Sequence, residues 1–362
     1  MGKSKNKRVF IWTKSISDLF VGTNLVGGIA IQLYFWSQVF KKNGWEVHTM
    51  TNFPSFEKKG IRFHRNRMWL KTEIFHDWFT LIWISIRYRP QVIISRGASR
   101  SDYALSVVSR WFKIKYILFG ASDTDFQIGK ELIVGEYNRK LYQKAIPKID
   151  YFVVQNSCQQ QYLKHNYNKD SLVIPNIWLE KAADEKTTEK EFDVIWVANL
   201  RMLKRPEWLM NAARKLPELK FAMVGGPTAD KQYFDEIKEE ANLIPNLTFF
   251  GQQSFQQTNE LIGKSRILTC TSEFEGFPNT FLQAWAQKIP VVSTVDPSGV
   301  IENYNLGRVV DNEKKFVNEI VQLVSDKDEY MKKQKTIETY FMKVHSAEKN
   351  YIKLINYLNI QE

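Results

Sequence analysis

Cysteine is scarce in this sequence, and long apolar runs are missing. Only two cysteines occur among 362 residues, Cys158 and Cys270, so a disulfide framework is excluded and a reducing cytoplasm is favoured. The densest apolar stretch, residues 74–86, is broken by polar residues and is shorter than the roughly 18 residues of a membrane-spanning helix. The charged N-terminus precedes only a short apolar run, so we also expect no signal peptide.

Histidine is sparse as well. The five histidines are scattered and show no metal-ligand spacing beside the cysteines, so we expect neither a structural metal nor a metal cofactor. Glycine (17) and proline (11) are too few for a collagen-like chain, and the 44% hydrophobic content is too high for a disordered one.

Positive charge is concentrated in one half of the chain. Residues 1–178 carry 27 Lys and Arg against 12 Asp and Glu, a net charge of +15, whereas residues 179–362 carry 24 against 27, a net charge of −3. A basic half indicates an anionic partner such as nucleic acid, anionic lipid or a phosphorylated substrate, or simply a solvated surface.

Short apolar runs alternate with helix-length segments, which predicts a parallel sheet covered on both faces. A polar linker near 181–190 separates two such series. The first series has predicted strands at 8–12, 46–50, 91–95, 115–118, 151–154 and 172–174, and the second at 193–197, 221–224, 247–250, 267–270 and 291–293.

The fold class that follows is α/β, with two doubly wound, Rossmann-like domains facing each other across a cleft. We expect an N-terminal domain over 1–178, completed by the C-terminal helix near 340–362, and a C-terminal domain over 179–339. Because ligands bind beyond the carboxyl ends of strands in such sheets, the site is expected in the cleft.

A first candidate anion site follows the predicted strand 267–270. Gly276 permits close backbone approach, and a helix starting near Asn279 offers free N–H groups, a combination that suits a diphosphate. Glu275 and Gln283 are placed to bind hydroxyl groups. The alternative is an ordinary helix cap at Asn279.

A second candidate anion site follows the strand 193–197. The loop 199–206 contains Arg201 and Lys204, whose charges would stabilise a leaving diphosphate. The alternative is a basic loop that simply precedes a helix with proline in its first turn.

These motifs, in this order, resemble glycosyltransferase family 4 enzymes of the GT-B fold over about residues 8–325. The resemblance rests on Gly27-Gly28 before a long helix, the loop with Lys204, and Glu275-Gly-Phe-Pro-Asn followed by Gln283 and 289–292. Weaker similarities are 154–161, 174–176 and 299–302.

The resemblance implies retaining, metal-independent transfer of a sugar from a nucleotide sugar. It also implies that the domain over 1–178 binds the acceptor and that the domain over 179–339 binds the nucleotide sugar. Glu275 then contacts the donor sugar, position 283 binds the ribose, and Lys204 holds the diphosphate. Asn199 occupies the usual Arg position, so Arg201 is expected to substitute for it. The remaining expected donor-binding residues are Gly27, Gly28, Gly276, Phe277, Asn279 and Thr280.

Two departures from the family pattern affect these expectations. Position 283 is Gln rather than Glu, which keeps an acceptor oxygen but loses the charge. Pro278 lacks an N–H, so the side chains of Asn279 and Thr280 are expected to compensate. In the first half, Asp123-Thr-Asp125 could hold a divalent metal, but we favour Asp123 as a group that orients the acceptor hydroxyl.

An aromatic and basic segment at 62–83 has two interpretations. It predicts a helix packed on the sheet before strand 91–95, or a surface that docks on an anionic membrane with its first turn, near Met68 and Trp69, exposed.

The function that these expectations favour is a glycosyltransferase using a UDP or GDP sugar, with a glycan or lipid-linked acceptor. The setting we expect is surface polysaccharide biosynthesis, in the cytoplasm or peripherally on the cytoplasmic membrane face. A nucleotide-sugar epimerase of the same fold and a non-enzymatic protein that binds polyanions or membranes are the alternatives. No nucleic-acid-binding signature is present, so nucleic acid is not an expected partner.

Overall fold

A computed structural model describes residues 7–21, 27–65, 73–179, 190–228, 230–275 and 277–360. The chain divides into two compact units. Unit 1 contains residues 1–179 and 345–362, and unit 2 contains residues 180–344. The predicted polar linker lies almost wholly outside the described residues.

Unit 1 is built on an eight-stranded sheet with the order β3-β4-β2-β1-β5-β6-β7-β8. Neighbouring strands are parallel except for the edge pair β3–β4. The strands are β1 (Arg8–Ile11), β2 (Glu46–Thr51), β3 (Phe56–Lys58), β4 (Ile61–Arg65), β5 (Val92–Arg96), β6 (Lys115–Phe119), β7 (Tyr151–Val154) and β8 (Leu172–Val173).

Helices connect these strands and cover the sheet. They are α1 (Asp18–Val21), α2 (Gly28–Lys42), α3 (Glu73–Tyr88), α4 (Ser101–Trp111), α5 (Glu136–Ala145) and α6 (Ser157–Tyr167). The central strands read as uninterrupted apolar runs because both of their faces are buried, as in Val92, Ile93 and Ile94, each with no solvent exposure.

Unit 2 is a second doubly wound sheet, with the order β11-β10-β9-β12-β13-β14 and every pair parallel. Its strands are β9 (Phe192–Val197), β10 (Phe221–Val224), β11 (Leu247–Gly251), β12 (Ser265–Cys270), β13 (Val291–Ser293) and β14 (Gly307–Val309). Its helices are α7 (Glu207–Lys215), α8 (Lys231–Asn242), α9 (Phe255–Gly263), α10 (Asn279–Trp285), α11 (Val300–Asn303), α12 (Glu313–Ser325) and α13 (Lys327–Val344).

The last helix, α14 (Ala347–Tyr357), belongs to unit 1. The indole N–H of Trp45 donates to the Tyr351 hydroxyl at 2.9 Å, and Lys42 pairs with Glu348 at 3.0 Å. Buried aromatic packing between Phe40 and Tyr351 holds the helix against α2. The C-terminal segment therefore completes the core of unit 1.

The predicted α/β class and the two Rossmann-like sheets are confirmed, with two local differences. The segment 62–65 is part of β4, not the approach to a helix, and it pairs with the short antiparallel strand β3. Strand β14 was also not predicted. In the described part of the chain, no helix is long and apolar enough to cross a membrane.

Candidate functional site

In each sheet, the chain reverses its direction of progression beside one central strand. In unit 2, β9 lies between β10 and β12, so the crevice beyond the carboxyl ends of β9 and β12 is the topological switch point. Doubly wound sheets bind ligands at this position. The two loops that the sequence singles out, 199–206 and 271–280, follow these two strands.

The loop after β9 is anchored by Arg205, a residue that sequence reasoning did not select. Its backbone is left-handed, with φ of 46°. Its guanidinium donates to the carbonyls of Thr271 (2.6 Å) and Ser272 (3.2 Å) and lies 4.5 Å from the ring centroid of Trp208. Arg205 therefore joins the two loops, and no sequence pattern distinguished it from its cationic neighbours.

Thr271 strengthens this connection from the other side. Its hydroxyl donates to the Lys204 carbonyl at 2.6 Å and accepts from the buried indole N–H of Trp196 at 2.9 Å. The backbone N–H of Glu273 donates to the carbonyl of Leu203 at 2.9 Å. These bonds fix the relative position of the two loops before any ligand binds.

Lys204 and Glu275 meet at the centre of this arrangement. The Lys204 ammonium donates to Glu275 Oε1, and the Ser272 hydroxyl donates to the same oxygen at 3.0 Å. The two side chains are only 16% and 23% exposed. An ion pair at a switch point offers a cation for an anionic group and a carboxylate that accepts hydrogen bonds from hydroxyls.

The other predicted donor residues lie near this pair in the sequence. Asn199 and Arg201 flank the start of the loop, Asn199 half-buried and Arg201 exposed. Phe277 packs against Phe281 and Trp285 at ring distances of 6.5 and 6.1 Å. Gly276 lies outside the described residues.

Helix α10 begins at Asn279, as predicted, and is seven residues long. The N-cap is Pro278 and makes no side-chain capping bond, so the alternative of a cap at Asn279 is wrong. Thr280 is half-buried, and Gln283 is only 4% exposed. A neutral amide is less costly to bury at position 283 than a carboxylate.

The predicted residues of unit 1 occupy the carboxyl edge of its own sheet. Gly27 and Gly28 are exposed at the start of α2, where Gly27 is the N-cap. Asp123 accepts a hydrogen bond from Asn156 at 3.1 Å, and Asn156 in turn caps α6.

Asp123 and Asp125 have different hydrogen-bond partners. The Asp125 carboxylate accepts from the backbone N–H groups of Ala121 and Ser122 at 2.7 and 3.0 Å, and burial raises the pKa of that carboxyl. Among the described residues, no group of three or more His, Cys, Asp or Glu side chains could hold a metal ion.

Unit 1 also contains a cavity of about 130 Å³ between α3, α4 and α5. Trp78, Tyr103 and Tyr137 supply aromatic walls, and Asp77 and Arg100 supply polar groups. Asp77 accepts from the Ser101 hydroxyl at 2.7 Å, and burial raises the pKa of its carboxyl. This volume is well below the roughly 300–1,000 Å³ of ordinary ligand pockets, so the cavity is not assigned to a ligand.

Comparison with known proteins agrees with this architecture. The fold defines the chain as a GT-B protein, and residues 179–340 match the family described as "Glycosyl transferases group 1". A glycosyltransferase from Rickettsia africae is 17% identical, with a TM-score of 0.75 over 99% of this chain and 100% of that one. An Anabaena protein, HepE, solved in complex with UDP-glucose, is 10% identical, with a TM-score of 0.71 over 98% and 100%.

Similarity in sequence is limited to part of the chain. The D-inositol 3-phosphate glycosyltransferase of Mycolicibacterium smegmatis is 24% identical over 169 residues, which is 42% of this chain and 39% of that protein. The match to the group 1 glycosyl transferase model spans most of unit 2, and the likeness to solved structures shows that the fold of the chain is GT-B.

Proposed function

We propose that this protein is a retaining hexosyltransferase of the family 4 type. It moves a sugar from a UDP or GDP sugar to a glycan or lipid-linked acceptor. The setting is surface polysaccharide biosynthesis at the cytoplasmic face of the membrane. The group 1 domain, the relative named as a D-inositol 3-phosphate glycosyltransferase and the UDP-glucose complex of HepE support the reaction class.

The observation that carries the proposal is the Lys204–Glu275 pair at the switch point of unit 2. Cleavage of the bond between the sugar and the diphosphate leaves negative charge on the phosphate oxygens. A preorganised cation near those oxygens stabilises the transition state more than the ground state. Lys204 supplies that cation, and exposed Arg201 adds a second one from the same loop.

Glu275 anchors the donor sugar. Its carboxylate accepts from Ser272 and Lys204 in the free protein, and sugar hydroxyls replace part of these bonds when the donor binds. Binding therefore loosens the ion pair and releases Lys204 toward the diphosphate. Opening of the ion pair thus lets Glu275 position the sugar and lets Lys204 stabilise the diphosphate as the sugar is transferred.

The other donor contacts follow the family pattern. Gln283 binds the ribose hydroxyls, and Phe277, Asn279 and Thr280 lie along the diphosphate together with Asn199. Gly27 and Gly28 bring backbone close to the phosphates. The acceptor attacks from the face that the diphosphate leaves, and the departing phosphate takes the acceptor proton, so the configuration is retained without a protein nucleophile.

The acceptor is assigned to unit 1. Asp123 orients the attacking hydroxyl, and its side chain is held in place by the hydrogen bond from Asn156. The positive charge of residues 1–178 favours an acceptor that carries phosphate or lies on an anionic surface.

The proposal is tested in two stages. Thermal-shift measurements with UDP, GDP, ADP and CDP identify the nucleotide, and the corresponding radiolabelled nucleotide sugars are then incubated with membranes and with the protein. We expect label to enter lipid-extractable or polymeric material. Glu275→Ala should abolish transfer, whereas Glu273→Gln, which alters an exposed carboxylate two residues away, should not.

The alternatives give different results. An epimerase would convert the sugar of the nucleotide sugar with no acceptor present. A non-enzymatic polyanion-binding protein would bind nucleic acid or heparin with strong salt dependence and would turn over no nucleotide sugar. Either result, or full transfer by Glu275→Ala, would contradict the proposal.

A further inference from the structure

Arg96 lies at the switch point of unit 1. It is the last residue of β5, which pairs with β1 on one side and with β6 on the other. The second neighbour of β1 is β2, so the crevice beyond the carboxyl ends of β1 and β5 is the place where a doubly wound sheet binds ligands. The proposed function gives this cation no role, and sequence reasoning did not select it.

The guanidinium of Arg96 has no ion pair among the described residues. It donates to the side-chain oxygen of Asn176 at 2.5 Å, whereas its Nε is buried without a hydrogen-bond partner in the described part of the chain. Burial lowers the pKa of Arg96 to about 10, an effect that the charge of Asp125 opposes, so the group stays charged at neutral pH. The Asp125 carboxylate accepts from the backbone N–H groups of Ala121 and Ser122, not from Arg96.

An unpaired charge held away from water is costly to a folded protein. A single hydrogen bond to the neutral amide of Asn176 does not require that charge, because an uncharged donor would also form it. A planar cation with unused N–H groups is well suited to bind two oxygens of a phosphate group at once. The unpaired charge of Arg96 therefore indicates an anionic ligand.

The side chain of Arg96 lies on the same side of the sheet as α2. Asn176, its hydrogen-bond partner, is followed by Ile177. The side chain of Gln32 on α2 accepts from the N–H of Ile177 at 2.9 Å and donates to its carbonyl at 3.1 Å. Arg96 is thus joined to α2 through the segment 176–177.

The first turn of α2 approaches the chain directly after Arg96. Gly97 has a left-handed backbone with φ of 79°, and a Cβ placed on it would lie 3.5 Å from Ile29 Cδ1. The N–H groups of Gly28 and Ile29 belong to the first turn and have no intrahelical partner. Such N–H groups favour phosphate, and the unpaired cation beside them strengthens that preference.

We propose that Arg96, together with the first turn of α2, binds a phosphate group of a substrate. Its Nε and a second N–H donate to two phosphate oxygens. The proposal deepens the proposed function and rests on it only in assigning the phosphate to a substrate. That phosphate belongs to the donor diphosphate or to a phosphorylated acceptor, which present the same oxyanion to Arg96. The site includes none of residues 22–26 or 66–72, which lie outside the described residues together with the predicted membrane contacts Met68 and Trp69.

Binding measured without sugar transfer tests the site and its source of phosphate. The full chain is titrated calorimetrically with UDP and GDP, and inorganic phosphate or glycerol 3-phosphate is then added to protein saturated with the tighter nucleotide, at constant ionic strength. We expect Arg96→Gln to weaken one of these steps about tenfold or more, as loss of a charge-assisted hydrogen bond predicts. A weaker first step assigns Arg96 to the donor diphosphate, and a weaker second step assigns it to a phosphorylated acceptor.

Variants separate a ligand-binding role from a structural one. Arg96→Gln keeps a donor for Asn176 and removes the charge, so the melting temperature of the free protein should stay the same or rise. Asn176→Asp keeps the side-chain size and gives Arg96 a counter-charge, so it should weaken the same binding step. Arg96→Lys keeps the charge without the planar fork and should restore part of the affinity. The matched control Arg110→Met, an exposed cation of the same unit, should change neither measurement.

The Nε–H group of Arg96 gives a direct signal of binding. In protein labelled with [15N]arginine, its resonance is assigned by its absence from Arg96→Gln. We expect this resonance to move when the phosphate probe identified by calorimetry is added to the wild type, and to move less in Asn176→Asp.

Three results would overturn the proposal. Unchanged affinity for every phosphate probe in both Arg96→Gln and Asn176→Asp would show that Arg96 binds no phosphate. An equal loss of affinity for uridine or guanosine, which carry no phosphate, would show that the substitution acts through the fold. A lower melting temperature of Arg96→Gln with unchanged phosphate binding would assign Arg96 a structural role. Normal phosphate binding without sugar transfer would contradict only the proposed function.

Discussion

Replacing Glu275 by Gln should affect nucleotide binding and sugar transfer in opposite directions. In the free protein Glu275 neutralises Lys204, and both side chains are largely shielded from water. A bound diphosphate competes with that carboxylate for the ammonium group and is repelled by its charge. Glu275→Gln keeps the side-chain size and removes the competition.

The magnitude follows from Coulomb's law. Two unit charges about 5 Å apart interact by about 3 kcal/mol at an effective dielectric constant of about 20. Because both side chains remain partly exposed, solvent reduces this to about 1 kcal/mol. We therefore expect Glu275→Gln to bind UDP or GDP about fivefold more tightly. Transfer should fall about tenfold to a hundredfold, since a charge-assisted hydrogen bond to the sugar is lost.

Lys204→Met should weaken nucleotide binding, the opposite of the effect expected for Glu275→Gln. It removes the cation and leaves the carboxylate near the diphosphate, so nucleotide binding should weaken about a hundredfold. The double variant Lys204→Met/Glu275→Gln should recover part of that loss, because the repelling charge is also gone. Unfolding stability should fall by about 1–2 kcal/mol in Lys204→Met, as expected for a partly exposed pair.

Isothermal titration calorimetry measures the affinity for UDP and GDP, and a radiometric assay measures the rate of sugar transfer. Glu273→Gln and Lys215→Met are matched controls, since both residues are exposed in the same unit. The reasoning fails if Glu275→Gln weakens nucleotide binding, because the carboxylate would then contact the nucleotide and not the sugar. It also fails if Lys204→Met binds UDP and GDP like the wild type.

Three further predictions concern residues around the site and the core. Gln283→Glu should transfer sugar at a rate within about threefold of the wild type. Its melting temperature should fall by a few degrees, because the substitution buries a carboxylate at a position that is 4% exposed. A folded but inactive variant would contradict the ribose role. Arg205→Ala should lower the unfolding free energy by about 2 kcal/mol in urea titrations, since two carbonyls lose their donor, and unchanged stability would show that the loops hold without it. Burial lowers the pKa of His345 to about 4, so between pH 6.5 and pH 4 the unfolded state binds a proton that the folded state does not bind. The stability contributed by neutral His345 is therefore present above pH 6.5 and is lost as the pH falls toward 4. The stability difference between the wild type and His345→Asn should accordingly shrink by about 1.4 kcal/mol per pH unit over that range, and a constant difference in denaturant titrations would contradict the pKa shift.

Much of the fold could be predicted because a parallel sheet imposes a simple pattern. Strands buried on both faces must be apolar throughout, as Val92–Ile94 and Phe221–Val224 are, and the helices between them are long enough to be recognised. The pattern fails at sheet edges. Strand β3 is three residues long and half-exposed, so it carries too few apolar side chains to stand out from a loop.

The sequence of strand β4 does carry the pattern of a strand. Ile61 and Phe63 are buried and Arg62 between them is exposed, which is the alternation of a half-buried strand. The many cations in 62–71 masked this alternation, because charged residues are common on exposed helices and on exposed strands alike. Charge therefore indicates solvent exposure in this segment but does not indicate its secondary structure.

The candidate site was accessible from sequence only in part. Lys204 and Glu275 could each be placed after the carboxyl end of a strand because the motifs and the apolar strands were both readable. That β9 and β12 are neighbours in the sheet follows only from the structure. Arg205 could not be separated from Arg201 by composition. Its role depends on a left-handed backbone that turns its guanidinium toward the carbonyls of the neighbouring loop, whereas Arg201 remains exposed.

The sequence also could not show which face of α3 is exposed. Apolar residues occupy more than half of this helix, so periodicity alone cannot tell which stripe packs on the sheet. Only the packing of Leu81 and Ile84 in the core shows that Phe79, Trp83 and Ile86 remain exposed.

The central claim is that the Lys204–Glu275 ion pair opens when a nucleotide sugar binds. Lys204 then binds the diphosphate, and Glu275 binds the sugar. A crystal structure with the nucleotide that gives the largest thermal shift, bound as its intact nucleotide sugar, tests this most directly. We predict a phosphate oxygen within about 3 Å of Lys204 Nζ and a sugar hydroxyl within about 3 Å of Glu275. A nucleotide sugar bound elsewhere, with the Lys204–Glu275 bond unchanged, would contradict the account.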